Sequence, residues 1–390
     1  MYLLDNPTRC YDWGSRTVIA DLLGRGESEK PQAELWIGAH PESPSGIVDA
    51  GTDLLARLRA DPLGMLGPRA YATFGDRLPY LLKVLAVERP LSLQVHPDGR
   101  NAVAGFDAES DEPRSGRVFK DPHHKPELLY AISEFRALCG FRPVEEARDV
   151  FEALAQRAPR VRTFAQIVRL LADSDHDAAL RTTCAYLARL GPDEIAAAAE
   201  SIPGAAVGDT DASLQVAARV ATAYPKDVAV LLTVLLRHVV LAAGDTLGVE
   251  PGTPHTYLRG AAVELTTCSD NTIRAGLTHK PTDIERFIDV LDVGSPTVTS
   301  MRSEQRNAAE RSVTTDHAEF ELSVLRIAPG MTVRWGPKPR TVLVLDGRLT
   351  LTDETGSMRL RRGESVFVPA DSGAVEVGGD GQAVQATTGV

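Results

Sequence analysis

Gln94 and His96 stand two residues apart in Leu91-Ser92-Leu93-Gln94-Val95-His96, a run closed by Pro97-Asp98. Such a run reads as a strand, and a strand sends side chains i and i+2 to the same face. An amide oxygen and an imidazole would then face one point. Asp121-Pro122-His123-His124-Lys125-Pro126-Glu127 sets a carboxylate beside a cation, on a proline-bounded segment that cannot be a regular helix interior. His255 follows Gly252-Thr253-Pro254. Gln94, His96, Glu127 and His255 together would offer one anionic and three neutral donors. That mixture of nitrogen and oxygen suits Zn²⁺ or another borderline divalent ion, and an open position would make the ion catalytic. Each residue alone has a plainer reading, since a Gln or His on a strand more often packs or hydrogen-bonds. Glu264, Ser269, Asp270, Asn271 and Arg274 crowd into the mixed segment 263–280. On a buried strand they would be costly unless paired or lining a wet cavity. A surface turn at Ser269-Asp270-Asn271, with Arg274 salt-bridged, accounts for the same residues.

The elements that must position these groups are mostly strands. In the first ~140 residues, short apolar runs alternate with Gly, Pro, Asp and Ser; 78–85 and 91–96 read as strands, and 128–132 with 137–141 as another strand pair. At Pro143 the pattern changes. Val144, Ala147, Phe151 and Leu154 recur at helical spacing, with Glu145 and Glu146 in the first turn. Phe164, Val168 and Leu171, then Leu180, Cys184 and Leu187, repeat the spacing, and alanine-rich stretches follow. Residues 143–238 therefore read as a helical unit, either in series or inserted into a β domain. Insertion is favoured because site-like segments flank it on both sides. From Val239 a repeat is visible. Leu241-Ala242-Ala243-Gly244-Asp245 leads through a short strand to Pro251-Gly252 and His255, and Leu360-Arg361-Arg362-Gly363-Glu364 leads the same way to Pro369. Both copies resemble the second sequence motif of cupins, but only the first reaches a histidine. Two jelly-roll units follow from this, one with a candidate metal site and one without.

The 390 residues suggest two or three domains. The longest nearly unbroken apolar run, 228–236, is far short of the roughly 20 residues of a membrane span. The N-terminal residues show no basic segment leading into a long apolar stretch, which argues against secretion. Cys10, Cys139, Cys184 and Cys268 form no paired motif and fit a reducing cytoplasm. With 42 basic and 53 acidic residues the net charge is −11, which argues against a nucleic-acid partner. An anionic ligand would need positive charge gathered locally against that balance.

With these motifs in order, the chain resembles the type I phosphomannose isomerases, a zinc-dependent, cupin-like family. The resemblance runs through Tyr11-Asp12-Trp13-Gly14-Ser15, Ala33-Glu34-Leu35-Trp36-Ile37-Gly38-Ala39-His40-Pro41, Gln94-Val95-His96-Pro97-Asp98, His124-Lys125-Pro126-Glu127, Pro254-His255-Thr256-Tyr257-Leu258 and 269–280, and covers essentially the whole chain. It implies a mainly β fold with a helical insertion: a cupin-type jelly-roll catalytic domain at 1–142 and 239–316, an α-helical domain at 143–238, and a second C-terminal jelly roll at 317–390 without metal ligands. It places one Zn²⁺ per chain on Gln94, His96, Glu127 and His255, and the active-site arginine on Arg274. Ser92, Lys125, Tyr257, Glu264, Asp270 and Lys280 are the other implied pocket residues. The implied reaction interconverts mannose 6-phosphate and fructose 6-phosphate through an enediol or enediolate, with Glu264 or Lys125 moving the proton. Arg274, Lys280 and Ser92 would hold the phosphate. A cytoplasmic monomer with no nucleic-acid or membrane partner is expected, serving either mannose use in glycolysis or GDP-mannose biosynthesis. The chain departs from the family at His123, where Asn is usual, and at Thr256, where Ala is common; His123 would add a competing imidazole near Glu127. The alternatives are a cupin Fe(II) oxygenase and a non-catalytic sugar-phosphate-binding cupin.

Overall fold

The computed structural model describes residues 1–294 and 301–390, so the 295–300 part of the expected 239–316 unit lies outside the described residues. Among the described residues the strands form a ten-stranded and an eleven-stranded sheet. The ten-stranded sheet carries the candidate chemistry. Its axis is the long strand His255–Thr267, whose two halves have different neighbours. Residues up to Arg259 pair with Gln94 and with Phe135–Phe141, while Gly260 to Thr267 lie between Tyr80–Val87 and Glu127–Ala131. The runs expected as a strand pair at 128–132 and 137–141 are therefore strands, but they do not pair with each other. Each takes one half of the long strand, because the strand changes partners at Gly260.

Gly260 has φ +119°, a conformation L side chains rarely adopt, and a Cβ there would lie 2.3 Å from the Glu134 carbonyl oxygen. Only glycine fits the corner.

Tyr80–Val87 is buried along its whole length, as a strand covered on both faces must be. The two faces differ in kind. Tyr80, Leu82, Val84 and Ala86 enter an apolar core with Leu322, Leu343 and Phe367 of the eleven-stranded sheet. Leu81, Lys83 and Leu85 line a cavity on the other side. Period-two alternation thus separates a dry face from a wet one.

The helices run from Val144–Arg157 to Ala229–Val234, and strand structure resumes at Leu236, slightly ahead of the expected 238. They lie between paired strands of one sheet, Phe135–Phe141 and Leu236–Leu241. Phe151, Leu180 and Leu231 share one core with Leu93, Val95, Ile273 and Ala275. The helical unit therefore covers the back of the strands that carry Gln94 and Arg274. The Asp227 carboxylate ties the two together, accepting the backbone N–H of Leu277 at 2.6 Å and of Ala229 at 2.9 Å.

The C-terminal sheet does not begin at residue 317. Glu310–Thr314 pairs with Glu321–Ile327, and the N-terminal Tyr2–Asp5 closes onto Ser365–Val368. Hydrogen bonding recruits both outlying strands, a pairing invisible in local periodicity. The two turn repeats are present: Gly244 and Gly252 bracket Thr246–Val249 with positive φ, and Gly363 precedes Ser365–Val368 likewise.

Gly260→Ala is expected to cost at least about 2 kcal/mol of stability, since the added methyl meets backbone rather than a movable side chain. Denaturant unfolding measures this; a loss below ~0.5 kcal/mol would show that the corner tolerates a Cβ.

Candidate active site

Sheet register brings together residues far apart in sequence. Arg274 stands opposite Gln94, and Gln94 opposite His255, so all three belong to one row across adjacent strands. In a second row Trp36 faces Lys83 and Lys83 faces Glu264; Thr266 faces Glu127 nearby. Directly opposed side chains share a face with Cβ atoms about 5 Å apart. Apart from the fully buried His255, these residues line a cavity of about 1010 Å³ that also receives Ser92, Lys125, Tyr257, Asp270 and Lys280.

At its base His96, Glu127 and His255 form one buried group whose ligand atoms all lie within 4.8 Å of one another. Glu127 Oε1 is 3.0 Å from His96 Nε2 and Oε2 is 3.6 Å from His255 Nε2. Each imidazole turns its other nitrogen to a backbone carbonyl, His96 Nδ1 to Asn271 at 2.7 Å and His255 Nδ1 to Thr253 at 3.0 Å. A carbonyl only accepts, so Nδ1 carries the hydrogen in each neutral ring and both Nε2 lone pairs face Glu127. Burial, helped by the Lys125 charge, holds His96 down to about 3, and burial lowers His255 as well. Both rings are thus in the neutral form that a metal requires. His255 Nε2 is buried without a hydrogen-bond partner, a defect of roughly 1–3 kcal/mol unless something fills it. A divalent ion fits that gap and the donor set. Gln94, opposite His255, is placed to add its amide oxygen.

Glu127 binds more than the two imidazoles. The Tyr257 hydroxyl donates to Oε2 at 2.6 Å, and Lys125 Nζ lies 3.0 Å from Oε1 and 3.3 Å from His96 Nε2. Burial alone would raise the Glu127 carboxyl, but the Lys125 charge outweighs it and holds it well below the usual range. Tyr257 therefore reaches the cavity with its ring while its hydroxyl orients a candidate ligand.

Glu264 forms a buried ion pair with Lys83 at 2.9 Å. Burial and the nearby Glu127 charge push Glu264 up to about 7, against the pull of Lys83 and Lys125. Lys83 is held charged by Glu264 and Glu34 despite its burial, and lies 5.4 Å from the Trp36 ring.

The opposite wall is cationic. Arg274 and Lys280 both line the cavity, and each is lowered first by burial. The Arg274 charge lowers Lys280 further, as expected of two cations facing one space. Lys280 stacks over Tyr11 at 4.1 Å and Arg9 over Trp36 at 4.9 Å. Asp270 faces His40 at 3.2 Å and Arg114 at 2.9 Å, which with Lys125 keep its carboxyl low against burial. Asn271 ties this wall to the lysine loop, donating to the carbonyls of Asp121 and His123 and accepting from Lys120 N–H.

Gln94, Ser92, Lys125, Glu127, Tyr257, Glu264, Asp270, Arg274 and Lys280 thus line one cavity, and His96 and His255 adjoin it through Glu127. His123 does not join them: its imidazole has Arg77, Asp121, His124 and Glu319 as its charged neighbours instead of Glu127. Lys83, Trp36, Glu34 and His40 also line the cavity, and the sequence reading does not identify them as pocket residues. A lone lysine in the apolar run 78–85 was the signal for Lys83, because burying it unpaired would be prohibitive.

Family models match at both ends of the chain: the phosphomannose isomerase type I catalytic domain over residues 1–144 and the mannose-6-phosphate isomerase cupin domain over 313–388. A mannose-6-phosphate isomerase of Escherichia coli K12 is 31% identical, with 98% of each chain covered. The chain belongs to the type I mannose-6-phosphate isomerase family. The Arabidopsis thaliana mannose-6-phosphate isomerase 1 is 29% identical over 93% of this chain and 88% of its own. Among solved structures, a variant phosphomannose isomerase from Salmonella typhimurium superposes with a TM-score of 0.91 at 29% identity, covering all of both chains. A mannose 6-phosphate isomerase bound with zinc and yttrium matches at 0.89, again at 29% identity and full coverage of both chains. The jelly-roll fold with its helical insertion is therefore that of this isomerase family.

Tyr257→Phe is expected to weaken Zn²⁺ binding about 10–100-fold by freeing one Glu127 oxygen. Chelator-competition titration checks this; unchanged affinity would mean that the hydroxyl does not orient the ligand.

Proposed function

We propose that this protein interconverts mannose 6-phosphate and fructose 6-phosphate, using one Zn²⁺ per chain held by Gln94, His96, Glu127 and His255. The observation that carries the metal assignment is the unpartnered, buried Nε2 of His255 beside His96 and Glu127. Family membership, the zinc-bound neighbour and the cationic wall favour an isomerase over an Fe(II) oxygenase or a non-catalytic binder. No described helix is long and apolar enough to cross a membrane, and all four cysteines are free. We further infer a monomer working in the cytoplasm on a small sugar phosphate, with neither nucleic acid nor membrane as partner. That activity serves either mannose use in glycolysis or GDP-mannose biosynthesis.

The chemical difficulty is removing a proton from a carbon acid far weaker than any side-chain base at neutral pH. A bound Zn²⁺ would supply Lewis acidity toward the substrate oxygens as negative charge develops. Glu264 serves as the proton carrier between C2 and C1, because it lines the cavity as a carboxyl that burial raises toward neutrality. Lys83 holds that carboxylate in place through their 2.9 Å ion pair. Lys125, beside Glu127, donates to the developing oxyanion. Arg274 and Lys280 receive the phosphate dianion, with Ser92 completing the clamp and Asp270 fixing a sugar hydroxyl. Arg274 also sits one strand from Gln94, so the phosphate wall and the metal group are joined by one row of the sheet.

Purified protein in a coupled assay is expected to turn over mannose 6-phosphate, to lose the activity with chelator and to regain it with Zn²⁺. Full activity in metal-free protein would overturn the metal assignment. Glu264→Gln is expected to lower kcat about 10²–10⁴-fold with KM little changed. A kcat within threefold of the parent would transfer the proton step to another group.

A further inference from the structure

Among the described residues, a second group of histidine and acid side chains lies apart from the cavity. His124, His317 and Glu319 place ligand atoms within 4.8 Å of one another, all three half-buried. His124 Nε2 lies 2.8 Å from Glu319 Oε1, and His317 Nε2 lies 2.7 Å from Glu250 Oε2. The two imidazoles meet edge to face with centroids 5.2 Å apart. These donors come from three separate parts of the chain. His124 precedes the strand Glu127–Ala131, Glu250 follows Thr246–Val249, and His317 with Glu319 lies between Glu310–Thr314 and Glu321–Ile327. The cluster therefore bridges the ten-stranded sheet and the eleven-stranded one.

We propose that His124, Glu250, His317 and Glu319 form a second site for a first-row divalent transition metal, pinning the lysine-bearing loop to the C-terminal sheet. Two neutral imidazoles and two carboxylates carry a charge of −2, which one divalent ion neutralises. Nitrogen donors disfavour Mg²⁺ and Ca²⁺, which prefer oxygen, and suit Zn²⁺ and its neighbours. Tetrahedral ligands about 2.0–2.2 Å from an ion stand roughly 3–3.5 Å apart, so the pairs at 2.7 and 2.8 Å need only small outward shifts. A cavity of about 260 Å³ borders the cluster at His317. The C-terminal unit contributes a histidine and an acid here and takes its other donors from the opposite sheet, so its own sequence could not disclose a site. His124 is joined directly to Lys125, and filling the site would fix the entry angle of that lysine toward Glu127.

The test is a count of metal. Untagged, chelator-stripped protein is dialysed to equilibrium against buffered free Zn²⁺ and its metal is measured by mass spectrometry. The parent is expected to hold two Zn²⁺ per chain, and His317→Ala and Glu319→Gln one each. Circular dichroism identifies a variant that fails to fold, in which case the other carries the result. The assignment is overturned by a parent that holds one ion, or by a folded variant that holds as many as the parent. This count is independent of turnover. A parent that binds two ions without isomerising mannose 6-phosphate would sink the proposed function and leave this site standing.

Discussion

The buried carboxylate of Glu127 is the constraint around which the site is organised. An ionised carboxylate taken out of water costs several kcal/mol unless it is paired and fully hydrogen-bonded. Here one oxygen faces Lys125 and His96, and the other faces Tyr257 and His255. Lys125 and Tyr257 donate to the anion, whereas the two imidazoles turn lone pairs toward it, and His255 Nε2 still lacks a partner. A group that stabilises a buried anion and leaves a lone pair aimed at the same point is suited to a cation. The backbone carbonyls of Asn271 and Thr253 complete the arrangement by setting the tautomer of each ring. The charge on Glu127 also acts at a distance, since it helps to raise Glu264 toward neutrality. A divalent ion on Glu127 would relieve part of that effect, so metal occupancy and the proton affinity of Glu264 are linked through one carboxylate.

Glu127 can be shared in this way because one long strand meets several others in sequence. His255 at its start pairs with Gln94 and Cys139, whereas near its end Glu264 pairs with Lys83 and Thr266 with Glu127. The corner at Gly260 lets one strand serve both arrangements. A one-residue slip in either half would send every inward side chain of that half into an apolar core. The burial of Leu265 and Val263 with Phe367 and Leu343 makes such a slip costly, so apolar packing on the outer face sets the register of the polar groups on the inner one.

This explains which parts were legible in the sequence. Gln94 and His96 share a face because a strand has period two, a purely local rule, and their alternation with Leu93 and Val95 shows it. Helical spacing from Val144 onward and the two Gly-to-Pro repeats are local in the same sense. By contrast, Arg274 beside Gln94, or Lys83 opposite Glu264, depends on pairing between strands far apart in the chain. No window of sequence contains that register, and for these residues the family resemblance supplied what periodicity could not. The full extent of the C-terminal sheet is hidden for a related reason: Glu310–Thr314 joins it through hydrogen bonds that leave no compositional mark. His123 and His124 show the same limit at a finer scale, since adjacent imidazoles on an irregular loop carry no rule for which points where.

The outer units follow from the polarity of the pocket. A sheet that turns Lys83, Glu264, Glu127 and Arg274 inward keeps only part of that face for a dry core, the cluster around Leu85, Leu129, Leu247 and Ala262. Much of its hydrophobic burial comes from the back. Tyr80, Leu82 and Val84 find it against the C-terminal sheet, and Leu93, Val95 and Ile273 find it against the inserted helices. Burying a side chain of this size contributes about 1.5–3 kcal/mol, so these contacts offset the cost of assembling charged groups on the other side. The helices and the second jelly roll are thus required by the site even where they contribute no atom to it. The Asp227 carboxylate, holding Leu277 from the helical side, carries that support to within a few residues of Arg274 and Lys280. A chain of net charge −11 can then present a cationic wall to a phosphate dianion.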